Sequence, residues 1–131
     1  MEPAVKDVIE RCAKASKEGA LHFGEVVAAL TKVGVESYLA DYRAATTTYY
    51  LPDGDTLTLA SAQPEVPIGV DFDLEGVRSA IQGAQRDEIR YPEFVKLTRA
   101  AGCVGYIVWL TGRHVVYFGR SGQTHVERFP D

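Results

Sequence analysis

The sequence predicts an α+β domain in which one helix–helix–three-strand unit is used twice, its antiparallel meanders packed with four helices. Three observations predict it. The chain falls into register with itself at a shift of 68 residues. Each half passes from helical to period-two hydrophobic spacing at a glycine, and a proline-containing stretch separates the halves. The expected organisation is a single domain over residues 1–131, made of repeats at about 3–60 and 71–128.

The self-alignment needs no gap. Phe23 meets Tyr91, Glu25 meets Glu93, Val27 meets Val95, Gly34 meets Gly102, Tyr38 meets Tyr106, Tyr49 meets Tyr117 and Gly54 meets Gly122. Seven of the 38 pairs from Leu21 to Thr58 are identical. The number alone is modest. Its weight comes from where the matches fall, on turn glycines and strand tyrosines, as a repeated structural unit requires.

The first helix of each copy shows an apolar stripe at helical period: Val5, Val8, Ile9, Cys12 and Ala13 in one, Leu74, Val77, Ala80, Ile81 and Ala84 in the other. Asp73 is placed to cap the latter, and Gly19 to end the former in the left-handed conformation. The second helices carry Phe23, Val26, Val27 and Leu30, and Tyr91, Phe94, Val95 and Thr98. Glu25 and Glu93 fall in their first turns, where carboxylates face unpaired N–H groups, and Pro92 is tolerated there because its missing N–H has no helical partner. Gly34 and Gly102 stop these helices.

Three strands follow in each copy. VGYIVWL, RHVVYFG and QTHVERF are separated by Thr111-Gly112 and Ser121-Gly122, while copy one turns at Arg43-Ala44-Ala45 and at Asp53-Gly54. Counting back from the centres of those turns assigns the faces. Val104, Tyr106, Val108, Leu110, Val115, Tyr117 and Val126 are expected on the core face of the second meander. Gly105, Ile107, Trp109, His114, Val116, Phe118, His125, Glu127 and Phe129 are expected on a mixed opposite face. In copy one Tyr38, Ala40, Tyr42, Thr47 and Tyr49 are expected on one side, and Leu39, Asp41, Thr46, Thr48, Tyr50, Leu57 and Leu59 on the other. Residues 60–71, with Pro64 and Pro67, read as the connector between units that share one core.

Composition bounds the function. A formal charge of −4 with no Lys/Arg block gives no general attraction for nucleic acid. No apolar run approaches the length of a membrane span, and the early acidic residues do not read as a signal peptide, which points to the cytoplasm. Cys12 and Cys103 lack CxxC partners and read as buried thiols.

The candidate chemistry is sparse. His114, His125 and Glu127 suggest a metal site, but the expected register puts the two histidines about 13 Å apart, too far for one ion, so no metal is expected. Cys103 as a nucleophile competes with its role as a small core residue, since Val35 is its counterpart. Arg113 and Arg120 flank the middle strand, and their guanidinium forks suit a carboxylate or phosphate. Their counterparts Ala45 and Pro52 are uncharged, so duplication does not require them. Seven tyrosines fit either a ligand site or simple strand preference. Walker, GxSxG, HExxH and dinucleotide signatures are missing from the sequence, and no cofactor is expected.

The segment EIRYPEFVKLTRAAGCVGYIVWLTGRHVVYFGRSG, together with the earlier YYLPDG, resembles the YbcV-like bacterial domains of unknown function, sometimes labelled phage envelope proteins. The likeness spans nearly the whole chain and implies a small α+β fold, with no activity or catalytic residues to carry over. His22 departs from it, because a small hydroxyl residue is the expectation before the Phe23-Gly24-Glu25 helix start.

The leading expectation is a non-enzymatic domain that binds a small molecule or a protein, with homodimerisation through the same surface as one form of it. Trp109, Arg113, His114, Phe118, Arg120 and His125 are its candidate binding residues. Alternatives are a small enzyme with its site between the repeats and a phage-related structural protein.

Overall fold

The computed structural model describes residues 1–130. The elements run α1 (Pro3–Lys17), α2 (Phe23–Lys32), β1 (Ser37–Asp41), β2 (Thr46–Tyr50), β3 (Thr56–Ala60), then α3 (Leu74–Gln85), α4 (Tyr91–Ala100), β4 (Cys103–Trp109), β5 (His114–Gly119) and β6 (Thr124–Arg128). The fold is α+β, and the helix–helix–three-strand unit occurs twice at the shift of 68. The two meanders join edge to edge into one antiparallel sheet of order β3-β2-β1-β4-β5-β6. β1 and β4 pair at the centre, and Leu39 lies opposite Ile107, its own counterpart. A pseudo-twofold axis therefore passes through that pair.

Backbone conformation repeats as faithfully as element order. Eight of the described residues have positive φ, and they form four pairs at the same shift: Gly19 with Asp87, Gly34 with Gly102, Ala45 with Arg113, and Gly54 with Gly122. The first pair ends α1 and α3 in the same way. The N–H of Gly19 donates to Ser16 and that of Ala20 to Ala15, while Asp87 donates to Ala84 and Glu88 to Gly83. These are the two bonds of a left-handed helix stop. Asp73 caps α3 by accepting from the Gly76 N–H at 3.1 Å. The Glu25 carboxylate accepts from the His22 N–H at 3.1 Å and so opens α2.

One interior serves both units. Ile9, Cys12, Leu30, Tyr38 and Tyr49 of the first repeat and Val77, Ile81, Phe94, Tyr106, Val108 and Tyr117 of the second belong to one buried cluster. α1 packs on α2 and α4, α3 packs on α4, and α4 lies on β4. The predicted helix stripes coincide with this interior: Ile9 and Cys12 on α1, Val77, Ala80 and Ile81 on α3, and Phe94, Val95 and Thr98 on α4 are buried.

The third strand of each copy is turned over relative to the sequence expectation. His125 lies opposite Tyr117 and Glu127 opposite Val115, not one position along. Leu57 and Leu59 likewise face Tyr49 and Thr47. The cause is turn length. The Gly119 N–H donates to Gln123 and the Leu51 N–H to Asp55, so each loop holds three residues, with Gly122 and Gly54 left-handed in third place. A three-residue loop is centred on Ser121 or Asp53, and a register change of one residue exchanges the faces of the strand. Hence His125, Glu127 and Phe129 belong to the helix-covered side, together with Leu57 and Leu59. Val126, expected in the core, is 53% exposed.

The connector is held by the second repeat. Arg99 donates to the Val66 carbonyl at 2.7 Å and to Gln63 Oε1 at 3.0 Å. The N–H groups of Gly69 and Asp73 donate to the carbonyls of Arg99 and Ala101. This packing breaks the equivalence of Gly34 and Gly102. A Cβ at Gly34 meets open space, whereas at Gly102 it would run into the Asp71 carbonyl and the backbone of Phe72. Both carry φ near +90°. Gly34→Ala is expected to lose about 1–2 kcal/mol for the left-handed backbone alone. Gly102→Ala is expected to lose more than about 3 kcal/mol, because the overlap with backbone adds to the same conformational penalty. Chemical denaturation of the two variants checks the difference.

Candidate functional site

Four tyrosines rise from the sheet toward the helices, two from each repeat. Tyr38 and Tyr49 are directly opposed across β1 and β2, as Tyr106 and Tyr117 are across β4 and β5. Their ring centroids lie 5.4 Å and 5.6 Å apart, both pairs tilted. Alternation along each strand places all four on the helix side. This quartet floors a partly open chamber of about 580 Å³ between helices and sheet.

The walls come from both repeats at matching positions. Leu21 and Ile89, Phe23 and Tyr91, Val26 and Phe94, Thr47 and Val115, and Leu59 and Glu127 all line it, each pair related by the shift of 68. The chamber therefore sits on the pseudo-dyad. Phe129 at the end of β6 meets Phe23 edge-on, with centroids 5.6 Å apart.

The hydroxyl groups divide into two sets. Tyr42 and Thr98 form a buried bond of 2.7 Å between the repeats, and Thr98 in turn donates to the Phe94 carbonyl at 2.9 Å. Tyr106 donates to the Tyr91 hydroxyl at 3.1 Å. Tyr38, Tyr49 and Tyr117 have no side-chain hydrogen-bond partner among the described residues. Yet no fully buried side-chain nitrogen or oxygen there lacks one, so these three hydroxyls open onto the chamber.

Burial pushes the hydroxyls of Tyr38, Tyr42, Tyr49, Tyr91, Tyr106 and Tyr117 above the ordinary tyrosine range. They are neutral donors and acceptors at physiological pH, not bases. Cys12 stands on the chamber wall, and burial raises its thiol as well. Cys103 lies inside the core, where burial pushes its thiol up to about 12, so both cysteines are thiols at neutral pH.

The six residues singled out in the sequence do not converge. Trp109 and His114 face each other on the open side of the sheet, with ring centroids 6.5 Å apart. His114 Nδ1 lies 3.1 Å from the Gly112 carbonyl. Phe118 is half-buried further along that face. Arg113 occupies the left-handed position of the β4–β5 turn, and its guanidinium lies over the Phe129 ring at 5.5 Å. Arg120 donates to the carbonyls of Ile68 at 3.1 Å and Gly69 at 3.4 Å, which ties the connector to β5. His125, on the opposite side of the sheet, stacks on Tyr117 and pairs with Glu127 Oε1 at 3.0 Å. The open side also bears a smaller hollow of about 310 Å³, bordered by Leu39, Tyr50, Ile107 and Trp109.

What sequence reasoning missed is the quartet as a unit. Its signal was present, because Tyr38 with Tyr106 and Tyr49 with Tyr117 are identical pairs of the self-alignment. A tyrosine retained twice on the core face marks a shared position in both halves.

Two outcomes follow from these surroundings. Tyr42→Phe removes a bonded, buried hydroxyl and is expected to destabilise the protein by about 1–1.5 kcal/mol. Tyr49→Phe breaks no bond within the described residues and is expected to stay within about 0.5 kcal/mol of the parent, both read by urea unfolding. Stability also depends on alkaline pH. Cys103 moves from an ordinary value of 9.0 to about 12 on folding. Between those values the unfolded chain gives up the thiol proton and the folded one retains it, so stability falls as pH rises through that window. Urea midpoints are expected to hold through neutral pH and decline above about pH 9, less steeply in Cys103→Val.

A search among curated proteins finds no match to this chain. The family model for DUF1398, described as a protein of unknown function, matches residues 11–127, which spans most of both repeats and all four tyrosines of the chamber's floor. With that match over most of its length, the chain belongs to the DUF1398 family.

Proposed function

We propose that this domain binds a drug-sized, largely apolar molecule in the chamber between its repeats. The observation that carries the reading is a partly open, mostly apolar space of about 580 Å³ onto which three unpaired tyrosine hydroxyls open. Small-molecule sites commonly have this size and this mixture of apolar wall and few polar groups.

Energetics favour a filled chamber. Apolar wall left facing water forgoes roughly 25 cal/mol per Å² of burial, so a molecule that covers the wall is favoured. Water can occupy the part near the hydroxyls, but apolar walls offer it few partners. A ligand that covers those walls and hydrogen-bonds the tyrosines satisfies both needs. The raised hydroxyls and protonated thiols support binding over chemistry that starts from an ionised nucleophile.

The test uses Nile red, a neutral apolar dye, with native mass spectrometry of freshly purified protein. The dye is expected to brighten with the parent protein, and a small-molecule adduct to appear in the spectrum. Ala84 lines the chamber from α3, so Ala84→Trp fills part of the space. This variant is expected to lose dye binding by at least about tenfold while remaining folded. Dye brightening that persists unchanged in a folded Ala84→Trp protein would sink the proposal.

A further inference from the structure

The chamber's walls differ in charge from the rest of the chain. The whole protein carries 14 Lys and Arg against 18 Asp and Glu. The lining has Lys14, Lys17, Arg90, Lys96 and Arg128, with Glu127 as the only carboxylate among the described residues. Arg128 opposes His114 in the ladder, which turns its side chain to the other face of β6. Arg90 is held by Asp87 at 2.7 Å and by the Gly19 carbonyl at 3.1 Å. Glu127 is paired with His125. Lys14, Lys17 and Lys96 remain, exposed on the lining and with no ion-pair partner among the described residues.

Duplication does not require these lysines. Their counterparts at the shift of 68 are Gln82, Gln85 and Ala28. The tyrosine floor, by contrast, is the same in both halves. Lys14 and Lys17 also complement the carbonyl end of α1, which accounts for their sign. That account does not extend to Lys96, midway along α4 and facing the same chamber.

We infer that the ligand is an amphipathic anion, with its apolar body on the tyrosine floor and one anionic head at the lysine rim. The inference rests on the chamber being the binding site and adds the chemical class of what enters it. The interior selects for apolar bulk with a hydrogen-bonding group. The rim selects for negative charge where the mouth meets water, so the head keeps much of its hydration while it meets unpaired ammonium groups.

Displacement of Nile red by decanoate, decyl phosphate, decan-1-ol and decylammonium tests this. The two anions are expected to displace the dye at concentrations at least about tenfold below decan-1-ol, and decylammonium to be weakest. Raising sodium chloride to about 0.5 M should shrink the advantage, because the rim is exposed to screening. The triple variant Lys14→Gln, Lys17→Gln, Lys96→Gln should bring anion and alcohol level while Nile red itself still binds. 2-Naphthoate beside decanoate distinguishes an aromatic from an aliphatic body.

Equal potency of decanoate and decan-1-ol, or an anion preference that survives in the triple variant, overturns the anionic head and leaves the chamber reading intact. Failure of Nile red to bind the parent protein removes the chamber reading and this inference with it.

Discussion

The pairing of β1 with β4 is the contact on which the remainder of the molecule depends. Each repeat alone is two helices over a three-stranded meander, too small to bury its own tyrosines. Antiparallel pairing of the two first strands, with Leu39 opposite Ile107, makes six strands from three and fixes a twofold relation between the halves. Tyr38 and Tyr106 are brought onto one surface by this ladder. The helices of both units then close over the same interior, and α1 of one repeat reaches α4 of the other. At Gly105 the ladder leaves no room for a side chain, since any Cβ there would collide with the Ala40 carbonyl.

Symmetry supplies the chamber, and departures from symmetry supply its character. The quartet and the flanking Phe23 and Tyr91 are repeated features. Asymmetry enters at the rim and along the connector. Arg99 and Arg120, whose counterparts are Thr31 and Pro52, hold residues 63–69 against the second repeat. The polar link between Tyr42 and Thr98 is another departure, since the matching positions Leu110 and Leu30 are both buried and apolar. One end of the interface between repeats is thus tied by a hydroxyl pair, and the other relies on apolar burial.

Much of the fold was legible in the sequence because it is written in local signals. Helix stripes, the Asp73 cap and the glycines at 34, 54, 102 and 122 each act within a few residues, and their recurrence at one shift made the duplication visible. The third strands were read on the wrong face because Ser121-Gly122 and Asp53-Gly54 look like two-residue turns. Only the bond from Gly119 to Gln123 and its counterpart from Leu51 to Asp55 reveal the third residue. The site was less accessible still. A cavity is a property of how helices stand off a sheet, and no spacing in the chain encodes that distance. In the sequence Arg113 and Arg120 stand out because they flank the middle strand with uncharged counterparts, and His125 because it falls on the mixed face. The structure shows them occupied with Phe129, the connector and Glu127.

A residue facing its own duplicate across a twofold axis has a historical meaning. The Leu39–Ile107 pair has the geometry of a contact between two identical chains, in which a strand meets a second copy of itself. A half-length ancestor could have built the same sheet by association, with both walls of its cavity obliged to be alike. Two copies joined through a connector are free of that obligation. One wall can then carry Lys14 where the other carries Gln82, and two surfaces built on one pattern need no longer match.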